Sequence, residues 1–248
     1  MRTLYIVSGV HSYPRVTLSD RELIDFQTDL IGAIAAKERC TGFFEDRQDT
    51  IFAQSGNRIL DALQSAPPEG ERMLQELEAN EIAADEYGVA TKFRTLSQVR
   101  TAGVPIECLL TEEKFNYHTF FNTQFKQGKI PENLWLTLDH LSRQDQEKAA
   151  RYACSNSKLS GILTAERDSR IFKTLVAFAQ YNNILSIGIN HPLSEFNTSK
   201  HDFNVYRVNV HTDTPSYATG TLPQRLQDEV KILESRYNAL EMGIQFTK

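Results

Sequence analysis

The sequence predicts a three-layer α/β domain built on a mainly parallel sheet of about five strands. Three observations predict it. Two short apolar runs, Leu4-Tyr5-Ile6-Val7 and Ile184-Leu185-Ser186-Ile187, have the continuity of strands covered on both faces, as a parallel sheet requires. Segments of helical periodicity separate the apolar runs and are long enough to serve as crossovers. Each of the two runs also passes through small residues into a histidine, in Ser8-Gly9-Val10-His11 and Ile187-Gly188-Ile189-Asn190-His191. Two imidazoles are therefore expected beyond the carboxyl ends of strands, the edge at which open α/β sheets bind ligands.

The elements follow in order. Ser19 and Glu22 are spaced as a capping box, with Leu18 and Leu23 placed as a hydrophobic staple, which predicts a helix starting near Asp20. Leu23, Phe26, Leu30 and Ile34 recur along it at helical spacing, and Ile24 and Ile31 widen the stripe. Thr41-Gly42-Phe43-Phe44-Glu45 reads as the next strand, so strand, helix and strand predict a parallel pair joined by a right-handed crossover. From Asp46 to Gly103 the pattern is helical and polar, broken at Ala66-Pro67-Pro68-Glu69-Gly70, and its acidic part from Glu71 to Glu86 reads as a solvated helix face. Val104 to Leu110 resumes a strand pattern, with Pro105 near its start. A second helical region runs from Thr111 to about Ser160; within it, Leu134-Trp135-Leu136-Thr137-Leu138 fits either a short strand or a buried helical turn. Thr164 is expected to cap a helix reaching about Tyr181, with Ile171, Leu175 and Phe178 inward. The strand leading to His191 follows, then Phe203 to Val210 as the final strand. Thr221-Leu222-Pro223 opens a last helix with Leu226, Val230, Leu233 and Tyr237 on its inner stripe. The chain thus reads as a single α/β domain over residues 1–248 with helical insertions near 46–103 and 111–160.

Composition narrows the function classes. With 248 residues and 40% hydrophobic content, the chain can bury a core of ordinary size. Its 27 basic and 32 acidic residues give a net charge of −5, and Lys and Arg are dispersed, so the basic footprint of a nucleic-acid binder is absent. No segment approaches the roughly 20 apolar residues of a membrane helix. Leu4 to Val7 is too short for a signal-peptide core, so the expected location is the cytoplasm, or outside it by a route without a classical signal. Cys40, Cys108 and Cys154 share no metal-type spacing and read as reduced thiols packed as small hydrophobes.

A strand's carboxyl end and the amino end of a helix feeding a parallel strand lie on one side of the sheet. On that rule His11, Glu45 and His191 at strand ends converge with Arg167 in the first turn of the helix expected from Thr164. Arg167 precedes Ile171 by one helical turn, on the inward stripe, where a guanidinium requires an anion: Glu45 or an acidic group of a ligand. The set suits two mechanisms. His11, Glu45 and His191 form a ligand set for a divalent metal that acidifies a bound water. Without metal, one histidine serves as general base oriented by Glu45 while Arg167 stabilises developing negative charge. Each residue also has a structural reading, a strand-end histidine capping a turn and an arginine paired with a glutamate. His118, among Tyr117, Phe120 and Phe121, reads as core or rim. Asp139-His140, His201-Asp202 and His211-Thr212-Asp213 are short-range pairings of the kind chance produces, with His211 at a possible strand end.

These residues resemble the superfamily that groups TraB/TIKI-type proteins, erythromycin esterases, ChaN-like proteins and a related domain of some bacterial toxins. The resemblance rests on Glu166-Arg167-Asp168 through Ile171 followed by Ile187-Gly188-Ile189-Asn190-His191, on Phe43-Phe44-Glu45, and on Ala102-Gly103-Val104-Pro105-Ile106 to Thr111-Glu112-Glu113. It implies a hydrolase of an ester, amide or phosphoester bond in a small-molecule or peptide substrate. His11, Glu45, Arg167 and His191 would be catalytic, and Asp168 and Asn190 would contact substrate. His11, Glu45 and His191 would be the ligands where a divalent metal is bound. The first motif departs from the family's G-x-x-H pattern, since Ser8-Gly9-Val10-His11 has Ser8 for the glycine and Gly9 where an acid often stands, and Leu110 replaces a third-strand glutamate. Fewer carboxylates leave a metal or base less firmly held. The alternatives are a non-catalytic binding or effector module of the same fold, with a protein partner, or binding of a metal or metal-containing ligand without turnover.

Overall fold

The computed structural model describes residues 1–9, 13–14, 18–44, 51–84, 86–88, 90–91, 93–94, 97, 117–188, 191–197, 202–210, 222–237 and 245–247. Its strands are β1 (Arg2–Gly9), β2 (Tyr13–Pro14), β3 (Thr41–Phe44), β4 (Glu86–Tyr87), β5 (Asn182–Gly188), β6 (Phe203–Asn209) and β7 (Gln245–Thr247). Its principal helices are α1 (Leu18–Glu38), α2 (Ile51–Ser65), α3 (Pro67–Ala83), α4 (Tyr117–Lys126), α5 (Glu132–Gln144), α6 (Gln146–Ser155), α7 (Ser157–Phe178) and α8 (Gln224–Tyr237).

The main sheet has the order β3-β5-β1-β6-β7, with the first four strands parallel and β7 antiparallel. The fold is α/β, as the two apolar runs predict. Leu4 to Val7 and Ile184 to Ile187 are buried because each strand has a neighbour on both sides and side chains covering both faces. β1 and β3 are parallel but not adjacent, contrary to the expected pair, because β5 is hydrogen-bonded to both. The crossover through α1 therefore spans two strand spacings, about 10 Å.

Alternation along β1 assigns the layers. Tyr5 faces α1 and α8, where its hydroxyl donates to Glu38. Phe26, Leu30 and Ile34 of α1 and Leu226 and Val230 of α8 are buried against that face, each removal from water stabilising by roughly 1.5–3 kcal/mol. The opposite face carries α7 and a short 3-10 turn, Ser194–Asn197, through Phe172, Phe196 and Phe203, whose rings meet edge to face. β6 is not the last strand. α8 lies antiparallel to α1, with Arg225 at its start on Glu38 and Tyr237 at its end on Asp29, so the chain returns at the carboxyl edge and β7 must run downward.

Two boundaries move. α1 opens at Leu18, two residues before Asp20, with Ser19 inside the helix. α7 opens at Ser157 rather than Thr164, because the Asn156 side chain accepts from the Lys158 and Leu159 N–H groups and so caps the helix earlier. Leu134 to Leu138 is helical, with Leu138 buried and Leu136 exposed. The expected strand Val104 to Leu110 lies outside the described residues. A two-residue antiparallel pairing of β2 with β4 had no signal in the sequence.

The insertions differ in character. α2 and α3 pack closely where Gly70 meets Leu63. α4, α5 and α6 enclose a separate apolar cluster of Phe121, Ile130, Leu138 and Ala153, joined by Leu159 and Leu163 from the first half of α7. Ile171 and Leu175, in the second half of α7, belong to the core of the sheet. α7 thus bridges two cores, and Asp168 stands at the passage between them. No helix among the described residues is long and apolar enough to cross a membrane.

Candidate functional site

β5 ends at Gly188, whose carbonyl accepts from the His191 N–H at 3.2 Å, so the chain turns sharply and withdraws the histidine into the protein. His191 is 5% exposed. Its Nδ1 lies 2.5 Å from Oδ1 of Asp168, which is itself buried on α7. The other oxygen, Oδ2, accepts from the Leu193 N–H at 2.8 Å. A carboxylate at Nδ1 orients the ring and favours the tautomer that carries its proton on that nitrogen. Asp168 faces inward because it precedes Ile171 and Leu175 on the buried stripe of α7.

A second charge lies beneath the same turn. Arg207 is 1% exposed on β6, in phase with the buried Phe203 and Val205. Nη2 donates to the His191 carbonyl at 2.9 Å and Nη1 to the Pro192 carbonyl at 3.2 Å. Nε donates to Ser8 Oγ at 3.0 Å and to Asn209 Oδ1 at 3.1 Å. Leu193, buried, holds φ at +51°, the left-handed region that a branched apolar residue seldom adopts. Arg207 belongs to none of the sequence motifs. The available signal was a charged residue at the apolar phase of a strand.

Beside Asp168 opens a cleft of about 470 Å³, between the first turns of α7 and the segment after His191. Ser160, Gly161, Thr164 and Asp168 form one wall, and Pro192, Ser194 and Glu195 the other. The lining is small and hydroxylated, suited to a polar group that donates and accepts hydrogen bonds.

Of the residues expected at the site, His191 and Asp168 are brought together. Arg167 is half-buried beside Asp168, but in the third turn of α7 rather than the first, since the helix begins at Ser157. His11, Glu45 and Asn190 lie outside the described residues. The strands leading to His11 and Glu45 end at the same sheet edge as β5, with Gly9 in register with Gly188 and Phe44 with Ser186. Among the described residues, no three His, Cys, Asp or Glu side chains gather to hold a metal ion.

Other polar clusters stand apart from this edge. His118 Nε2 lies 2.6 Å from Asp139 Oδ1 and beside the Trp135 ring, so Asp139 pairs with His118 rather than with its neighbour His140, which meets Gln144. That bond, reinforced by Arg143, holds the Asp139 carboxyl below the usual carboxylate range. His201 and His211 lie outside the described residues. Arg225 grips Glu38 through two bonds of 2.6 and 2.7 Å, which lowers the Glu38 carboxyl, while burial first and the Glu38 charge second raise the Tyr5 hydroxyl. Cys40 is buried, which pushes its thiol up to about 12, and Cys154 is exposed; both are free thiols. Cys108 is outside the described residues.

No protein-family model matches the chain, and searches of curated proteins and of solved structures return no significant relative.

Proposed function

We propose that the carboxyl edge of the sheet is a hydrolytic site acting on an ester, amide or phosphoester bond of a small-molecule or peptide substrate, in the manner of the TraB/TIKI and erythromycin esterase superfamily. One observation carries this reading: a buried imidazole whose Nδ1 is held by a buried carboxylate at 2.5 Å, next to an open polar cleft. Such a pair is the orienting half of a general-base apparatus. In this reading His191 Nε2 removes a proton from the attacking water and later returns it to the leaving group, and Asp168 acts as the positioning residue. Arg167 stabilises charge developing on the reacting oxygen, His11 and Glu45 complete the acid–base set, and Asn190 contacts substrate. Asp168 also gives His191 the outer carboxylate that a metal-binding imidazole ordinarily has, so a divalent ion on His11, Glu45 and His191 would supply an acidified water.

The test is turnover of chromogenic esters, amides and phosphoesters by protein purified without a metal-affinity column. At least one class is expected to be hydrolysed, and His191→Gln is expected to lower kcat by about 10²–10⁴ with the fold retained. Wild-type protein inactive on every class, or a His191→Gln variant as active as wild type, overturns the proposal.

A second reading is favoured by the same turn. Both Asp168 oxygens are committed to residues 191–193, which suits a rigid ligand-holding turn as well as a reactive one. It makes the chain a non-catalytic binding or effector module, or a binder of a metal or metal-containing ligand without turnover. Saturable binding or stoichiometric metal by elemental analysis, with no hydrolysis, is the outcome it requires.

A further inference from the structure

Three consecutive residues, His191, Pro192 and Leu193, are gripped from opposite sides by opposite charges. From α7, Asp168 accepts from the His191 ring and from the Leu193 N–H. From β6, Arg207 donates to the His191 and Pro192 carbonyls. We infer that Arg207 is a positioning residue for His191, the second jaw of a clamp that sets the imidazole on Asp168.

The geometry uses what distinguishes arginine from lysine. Two Nη groups of one rigid planar fork reach two successive backbone carbonyls, while Nε is anchored on Ser8 of β1 and on Asn209. The fork therefore measures the spacing and direction of two peptide units, which a single ammonium cannot do. A guanidinium 1% exposed is withdrawn from water and persists only when its hydrogen bonds are made. Its bonds go to the turn and to the strands that fix it relative to the sheet, so the sheet itself orients the turn.

Leu193 supplies independent support. A buried leucine at φ +51° holds a strained conformation, and such conformations endure where the surroundings over-determine them, most often at functional sites. Here Asp168 holds the N–H of Leu193 and Arg207 holds the two carbonyls before it. Release of the Arg207 jaw lets the turn relax, and the ring then has no fixed relation to Asp168.

The catalytic consequence rests on the hydrolase reading, but the clamp is measured without it. Long-range 1H–15N correlation of the His191 ring, recorded across a pH series so that the neutral ring is identified by its own signals, is expected to show one Nδ1–H tautomer in wild type. Arg207→Met is expected to give a mixture of tautomers, and Arg207→Lys and Ser8→Ala intermediate spectra. Retention of the single tautomer in Arg207→Met overturns the inference. Should that variant fail to fold, retention in both Arg207→Lys and Ser8→Ala does so. In hydrolysis assays the variants are expected to lose about a hundredfold in kcat with KM nearly unchanged, as misplacement of a reacting group produces. Wild type inactive in those assays defeats the hydrolase reading alone, since the ring spectra still decide whether Arg207 positions His191.

Discussion

Asp168 and His191 meet at 2.5 Å across 23 positions of sequence, each almost wholly withdrawn from solvent. The contact ties α7 to the turn that follows β5, so the helix preceding a strand and the residue beyond that strand are locked at one edge of the sheet. A carboxylate in this place favours the tautomer with the proton on Nδ1, so the fold rather than the solvent orients the ring.

That relationship predicts the effect of Asp168→Asn. The amide oxygen can still accept from the Leu193 N–H, but the amide nitrogen then faces Nδ1 and favours the opposite tautomer. On the hydrolase reading kcat is expected to fall by about 10³–10⁴, the scale of the same change in a serine-protease triad, with KM little altered. Steady-state kinetics beside a thermal melt checks it. A variant within about tenfold of wild type would separate Asp168 from the chemistry.

Gly161 lines the cleft on α7, and a Cβ built there meets no atom within 4 Å among the described residues. Gly161→Ala should therefore stabilise by about 0.5–1 kcal/mol, the ordinary gain of alanine over glycine inside a helix. Gly161→Trp should keep the wild-type melt while filling the cleft, raising KM by about tenfold or more on the hydrolase reading. Urea unfolding and kinetics on the two variants separate stability from access. A tryptophan variant with unchanged KM would place the substrate elsewhere.

Gly70 predicts the reverse. A Cβ there would lie 2.5 Å from the Leu63 backbone nitrogen, 2.6 Å from its Cα and 2.8 Å from its Cγ, and the two nearest of these are backbone atoms that no rotamer change can move. Gly70→Ala must push α2 and α3 apart and is expected to destabilise by about 1–3 kcal/mol despite its better helix propensity. Urea unfolding measures it, and a neutral result would mean the two helices are not in this contact.

The pairing of Arg225 with Glu38 predicts a pH dependence. The Arg225 hydrogen bonds hold the Glu38 carboxyl below its unfolded value. A depressed carboxylate stabilises the fold above its unfolded pKa, near 4.3, and that contribution is lost as pH falls through the lower folded value. Arg225→Gln should thus lower the Tm by a few degrees at pH 7, with the gap to wild type closing below about pH 4. A gap that stays constant across that range would show that Arg225 acts through packing rather than charge.

Much of the architecture is legible in residue order because burial phase is a local property. Leu4 to Val7, Ile184 to Ile187, Phe26-Leu30-Ile34 and Leu226-Val230-Leu233 announce two covered strands and two inward helix faces without reference to anything distant. A local signal misplaces a boundary where another residue satisfies the same backbone groups. Thr164 looked like a helix cap, yet Asn156 satisfies the first amides and Thr164 lies within the same helix.

The candidate site divides along the same line. His191 is recognisable because a strand pattern runs into it, and spacing places Arg167 on an inward helix face, whereas Asp168 enters only through the motif Glu166-Arg167-Asp168 that the resemblance singles out. Which of the two meets the imidazole was decided by the exact rotation of α7 between its two cores, which buries Asp168 and leaves Arg167 half-exposed. β5 could enter between β1 and β3, and Arg207 could find the His191 carbonyl, only once distant segments were packed. The sequence by itself determined which residues must leave water, since hydrophobic phase is written over a few neighbours. Tertiary structure alone decided which buried polar groups pair, because hydrogen bonds are set by distances of about 3 Å that residue order does not contain.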